Sequence, residues 1–66
     1  MKTPPPETRQ EMGLRIRSAR LRKGWTQEEM AHVLNVSWVT VSRWERGEKW
    51  PAQHMEILKN VLGIEE

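Results

Sequence analysis

The sequence predicts an all-α fold, a compact domain of four helices. Three observations predict it. Apolar residues recur at helical spacing in four separate segments. No segment alternates apolar and polar residues as a half-buried strand does. Each helical segment ends at a glycine, an asparagine or a short loop. At 66 residues the chain supports one small domain, whose core must be dense because so much of its surface stays in water.

Residues 1–9 carry Pro4-Pro5-Pro6 and no apolar periodicity, and read as a disordered lead-in to a domain spanning residues 10–64. The first helix is expected over residues 10–23. In helical steps of about 100° from Ile16, Met12, Ala19, Arg20 and Lys23 fall within roughly 60° of it, whereas Leu14, Ser18 and Leu21 fall opposite. Gly24 is placed to end this helix in the left-handed conformation, with Trp25 folding back on its last turn. Thr26-Gln27-Glu28-Glu29 matches a capping box, and Trp25 and Met30 have the spacing of a hydrophobic staple, so a second helix follows over 27–34. Asn35 stands where the chain must turn, and asparagine tolerates positive φ. Ser37 can cap a third helix over 38–46, with Val36 and Val41 repeating the staple, and Gly47 ends it. Pro51 suits the first turn of a fourth helix. Met55, Leu58, Val61 and Leu62 form its buried stripe, and Gly63-Ile64 reads as a glycine cap with an apolar follower.

Composition excludes several classes of function. Without cysteine there are no disulfides, Cys-bearing metal sites or thiol catalysis, which with the absence of a signal-like start reads as a cytoplasmic protein. No apolar run approaches the roughly 20 residues of a membrane span. His32 and His54 stand in different helices without a paired ligand nearby, so no metal is expected. No nucleophile, base and orienting group cluster, and no glycine-rich phosphate loop is present; neither an enzyme nor a cofactor is expected. The net charge is only +2, yet from Met12 to Lys49 eight basic residues face four acidic ones, a surplus of +4. That bias points weakly to polyanions, since many solvated helices share it.

Two short helices about a tight turn, the second opened by Ser37 and closed by Arg46-Gly47, form a helix-turn-helix. The residues resemble the phage-repressor and Cro type of helix-turn-helix family. The resemblance runs through Gly13-Leu14-Arg15-Ile16-Arg17, Arg20, Gly24-Trp25-Thr26-Gln27-Glu28-Glu29-Met30-Ala31, Leu34-Asn35-Val36-Ser37, Val41-Ser42-Arg43-Trp44-Glu45-Arg46-Gly47 and Pro51, covering residues 12–64. Asn35 replaces the family's usual turn glycine, and the sequence ends where the family's fifth helix would follow. The resemblance implies double-stranded DNA as partner and an internal pair between Arg20 and Glu45. Their positions agree: both are charges on otherwise apolar faces, which is costly unless they meet.

From Val41, helical steps place Ser37, Trp44 and Glu45 inward and Val39, Ser42, Arg43 and Arg46 outward. Arg43 is the leading base-reading residue, because a guanidinium can donate twice to guanine O6 and N7; a phosphate contact is its alternative. Trp38 and Val39, at the end of the helix that enters the groove deepest, are placed for thymine methyls, although Trp38 also fits the edge of the core. Ser42 joins them as a short donor to bases. For the DNA backbone the expected residues are Gln27, which resembles the family's phosphate clamp, with Ser37, Thr40, Arg46 and Lys49. Trp25 and Trp44 read as core, each indole N–H wanting an acceptor, and Trp50 as a loop lid. Ala31 reads as the small residue where the second and third helices cross.

The expected function is therefore sequence-specific DNA binding by a transcriptional regulator, a repressor or the antitoxin half of a toxin–antitoxin pair. A second copy on a two-fold operator and a toxin or other protein are the expected further partners. The competing reading is a protein-interaction module on the same scaffold, docking through Trp38, Trp50 and the outer leucines of the first helix. Leu14 and Leu21, two turns apart on one line, mark that outer face.

Overall fold

The computed structural model describes residues 3–64. Four α-helices follow in order: α1 (Pro6–Arg22), α2 (Gln27–Leu34), α3 (Trp38–Glu45) and α4 (Met55–Leu62), with a short 3-10 turn at Ala52–His54 leading into the last. No strand is present among the described residues.

α1 begins at Pro6, so residues 6–9 are helical and not part of an unstructured lead-in; the first two residues of that lead-in lie outside the described ones. The correction has a local cause and a distant one. Proline at the first helical position presets φ and has no N–H to leave unpaired. Arg9 then ties the new first turn down, its Nε–H donating to the Gly47 carbonyl at 3.1 Å and its Nη1–H to that of Pro4 at 2.6 Å. Lys23, expected on the buried side, is exposed as the helix ends at Arg22.

The capping box expected for α2 is realised. Thr26 Oγ1 accepts from the Glu29 N–H at 3.0 Å, and the Glu29 carboxylate accepts from the Thr26 N–H at 2.9 Å. Thr26→Ala is expected to cost about 1 kcal/mol, the usual loss for a threonine cap. A denaturant melt measures it, and an unchanged midpoint would show that the box adds nothing to the packed helix. α4 starts later than proline at a first turn implies, because Pro51 (φ −80°, ψ 56°) leads into the 3-10 turn. Gly63 closes α4 at φ 70°, and Ile64 behind it is buried.

The core joins all four helices: Met12, Ile16 and Ala19 of α1, Met30, Ala31 and Leu34 of α2, Val41 and Trp44 of α3, and Met55, Leu58 and Leu62 of α4, with Ile64 behind them. Trp25 and Trp50 pack against it half-buried, so Trp25 is less enclosed than expected. Trp44 is fully enclosed, and its Nε1 meets no acceptor among the described residues. His54, expected to be solvated, is half-buried instead, its ring tilted against the Trp44 indole at 5.2 Å between centroids.

One glycine sets the distance between α1 and α3. A Cβ on Gly13 would lie 2.5 Å from the Trp44 carbonyl oxygen and 2.6 Å from that of Glu45. Those are backbone atoms of a packed helix and cannot step aside. The absence of a side chain at residue 13 therefore lets the two helices touch backbone to backbone, which fixes how α3 is held.

Candidate nucleic-acid interface

Between α2 and α3 the chain reverses at Asn35 (φ 57°, ψ 46°), the left-handed conformation that its side chain makes tolerable. The Val36 N–H donates to the Ala31 carbonyl at 2.9 Å and closes the turn. Ser37 then caps α3, its Oγ accepting from the Thr40 N–H at 3.2 Å and lying 3.0 Å from the Thr40 hydroxyl. With Ala31 buried at the crossing, the two short helices lie close.

α3 has two unlike sides. Val41, Trp44 and Glu45 are buried. Away from them, Val39, Arg43 and Arg46 are exposed, and Trp38 is 53% exposed, which places it on the open surface and not at the core edge. Val39 follows at 38%. The N-terminal turn of α3 thus shows solvent two neighbouring large apolar side chains. Ser42 and Thr40 are half-buried, and the Thr40 hydroxyl is already engaged with Ser37. Among the residues expected to meet a DNA backbone, Ser37, Arg46 and Lys49 are exposed; Ser37, placed inward by helical steps, is exposed because it caps α3 in extended conformation and does not follow the helix's period. Arg46 lies 3.4 Å from the Glu48 carboxylate, an exposed pair that water and salt readily loosen.

Beneath this surface a hydrogen-bonded cluster holds α3. Arg20 and Glu45 are 8% and 9% exposed, and the guanidinium grips the carboxylate with two bonds, Nε to Oε2 at 2.7 Å and Nη2 to Oε1 at 3.1 Å. Nη1 donates to the Trp25 carbonyl at 2.7 Å. The Gln27 amide joins from the first turn of α2, its Nε2 donating to Glu45 Oε1 at 3.1 Å. One arginine and one glutamate thus tie α1, the turn before α2, α2 itself and α3 together. Sequence alone missed the Gln27 bond, because no local pattern links positions 18 apart. It also missed Arg9, which reaches the loop after α3 at Gly47.

No group of His, Asp or Glu that could hold a metal occurs among the described residues, and no helix among them is long and apolar enough to cross a membrane. What the fold does offer is a short helix held from behind, projecting apolar and cationic groups from one side, beside exposed cations at its C-terminal loop. Those features define a helix-turn-helix protein of the DNA-binding kind. The family described as Helix-turn-helix matches residues 16–55, and the chain belongs to it, in the Cro and phage-repressor type. No curated protein and no solved structure matches the chain.

Proposed function

We propose that the protein is a cytoplasmic, sequence-specific transcriptional regulator, a repressor or an antitoxin-type regulator, that places α3 in the major groove of double-stranded DNA. The observation that carries this reading is the outward side of α3, where Trp38, Val39 and Arg43 stand clear of the fold while the opposite side is locked by Val41, Trp44 and Glu45. Arg43 reads guanine through two hydrogen bonds, and Trp38 and Val39 lie against thymine methyl groups, with Ser42 a shorter donor beside them. Ser37, Thr40, Arg46 and Lys49 line the two ends of α3 and meet phosphates, as does Gln27 at the N-terminus of α2, where unpaired helical N–H groups favour an anion. The surplus of basic residues between Met12 and Lys49 supports this reading of the surface.

A single module of this size covers one half-site, about 600–1,000 Å² of interface. Selecting bound duplexes from a random pool tests the proposal. A shared motif should emerge, and its binding should weaken steeply as salt rises. Recovery of no motif, or binding insensitive to salt, would sink it. In the same assay Lys49→Ala is expected to weaken binding to all duplexes alike and to reduce the salt slope by about one, the signature of a lost phosphate contact. A changed motif in that variant would move Lys49 from the backbone to the bases.

A further inference from the structure

The outer face of α1 carries the most exposed large apolar side chains among the described residues, Leu14 at 61% and Leu21 at 57%. Helical steps taken from Ser18 divide that face into two lanes. Leu14 and Leu21 lie about 40° and 60° to one side of it, whereas Glu11, Arg22 and Arg15 lie about 20°, 40° and 60° to the other. All six are exposed, and the groove between this face and Gly63-Ile64, with a volume of about 640 Å³, is lined by five of them, Glu11, Leu14, Arg15, Ser18 and Arg22.

This pattern is complementary to itself. A two-fold axis beside α1 at the level of residue 17, perpendicular both to the helix and to the line joining the two copies, lays a second α1 antiparallel on the first and keeps each lane on its own side. With a rise of about 1.5 Å per residue, Leu14 then meets Leu21 of the second copy and Glu11 meets Arg22, each pair within about 1.5 Å of axial register. Ser18 lies next to the crossing point, where a small side chain permits close approach. Glu11 already touches Arg15 at 3.2 Å, but that pair is exposed and weak, and the carboxylate has room for a second cation.

We propose that this face binds a second copy of the chain, and that the resulting dimer carries its two α3 surfaces back to back. The second part follows from where α3 sits. Gly13 and Arg20, which contact α3, lie about 140° and 160° around α1 from Ser18, nearly opposite the seam. Val39 and Arg43 lie about 160° around α3 from Val41, on the side away from Glu45, by which α3 meets α1, so the exposed side of α3 faces further outward still. Paired through the outer leucines, the two α3 helices are turned away from one another and cannot enter successive major grooves of one duplex, which lie about 34 Å apart along it. The leucine seam is therefore not the contact of an operator-spanning pair; it joins two duplexes. The bridging half of this inference rests on the DNA-binding reading above, and the self-association half does not.

Two measurements test it. Sedimentation of the 66-residue chain without DNA should show a monomer–dimer equilibrium. Glu11→Arg and Arg22→Glu, each on the surface and each expected to melt like the parent, should weaken dimerisation about tenfold singly, because each puts like charges face to face twice, and the double reversal should restore it. Leu14→Lys with Leu21→Lys should abolish it. A wild type that is monomeric up to about millimolar concentration, or a dimer indifferent to the reversals, would overturn the proposal. Then, at low salt, an immobilised random duplex should retain a second, labelled duplex only when wild-type protein is present, and the leucine double variant should bind each duplex but not join them. Retention by that variant, or a wild-type dimer that binds DNA without joining duplexes, would overturn the back-to-back arrangement. Should the chain bind no duplex, the DNA reading fails, and sedimentation alone still decides the pairing.

Discussion

Replacing Glu45 with alanine is expected to remove about 3–5 kcal/mol of stability, the range for stripping one partner from a buried ion pair. The change deprives Arg20 of both bonds from Nε and Nη2, leaving a guanidinium that is 8% exposed with only the Trp25 carbonyl. It also removes the acceptor for Gln27, so α1, α2 and α3 lose their common tie at once. A domain of this size has few kilocalories in reserve, and the variant should be largely unfolded at physiological temperature. Replacing Arg20 and Glu45 together by methionine and leucine should recover much of the loss, since no charge is then left buried. Denaturant melts decide the matter: a loss below about 0.5 kcal/mol for the single variant would mean that the pair behaves like an exposed one.

Arg43→Ala is expected to produce the largest change in recognition. Arg43 is exposed on the side of α3 away from Val41, so its removal should leave the fold intact. Losing a two-bond contact to guanine should cost about 1–3 kcal/mol on the preferred duplex, roughly 5- to 150-fold in affinity, and should relax the preference at one position of each half-site. Binding to random duplex should change much less. Equal weakening on both kinds of DNA would assign Arg43 to a phosphate.

The parts of the structure written in short stretches of sequence were readable from it. Thr26 and Glu29 form their box because the geometry of a helix's first turn makes that exchange available to threonine and glutamate three apart. Asn35 takes the left-handed turn for an equally local reason. The two sides of α3 followed from its period, and Val41 and Trp44 are buried while Val39 and Arg43 are not. What stayed hidden depends on contacts between distant positions. The extent of α1 was obscured because three successive prolines have the composition of a disordered segment, and Arg9, which ties that first turn down, finds its acceptor 38 residues away. Gly13 carries no sign in the sequence that two carbonyl groups of α3 will lie against it. The half-burial of Thr40 and Ser42 likewise depends on how closely α2 and α3 pack, and periodicity alone does not report that.

The bond from Gln27 to Glu45 has a consequence for the entropy of binding. A free glutamine side chain on a helix surface samples many rotamers, and fixing one at an interface costs about 0.5–1.5 kcal/mol. Here the amide is anchored before any DNA arrives, because Nε2 spends one hydrogen on a carboxylate that Arg20 holds still. The second hydrogen of the same nitrogen is the one that the proposed phosphate contact would use. The ordering is thus done during folding, and a phosphate at the start of α2 would meet a donor already in place. An alanine at residue 27 would lose both bonds, whereas a glutamate would set a second carboxylate beside Glu45 and turn a preset donor into a repelled neighbour.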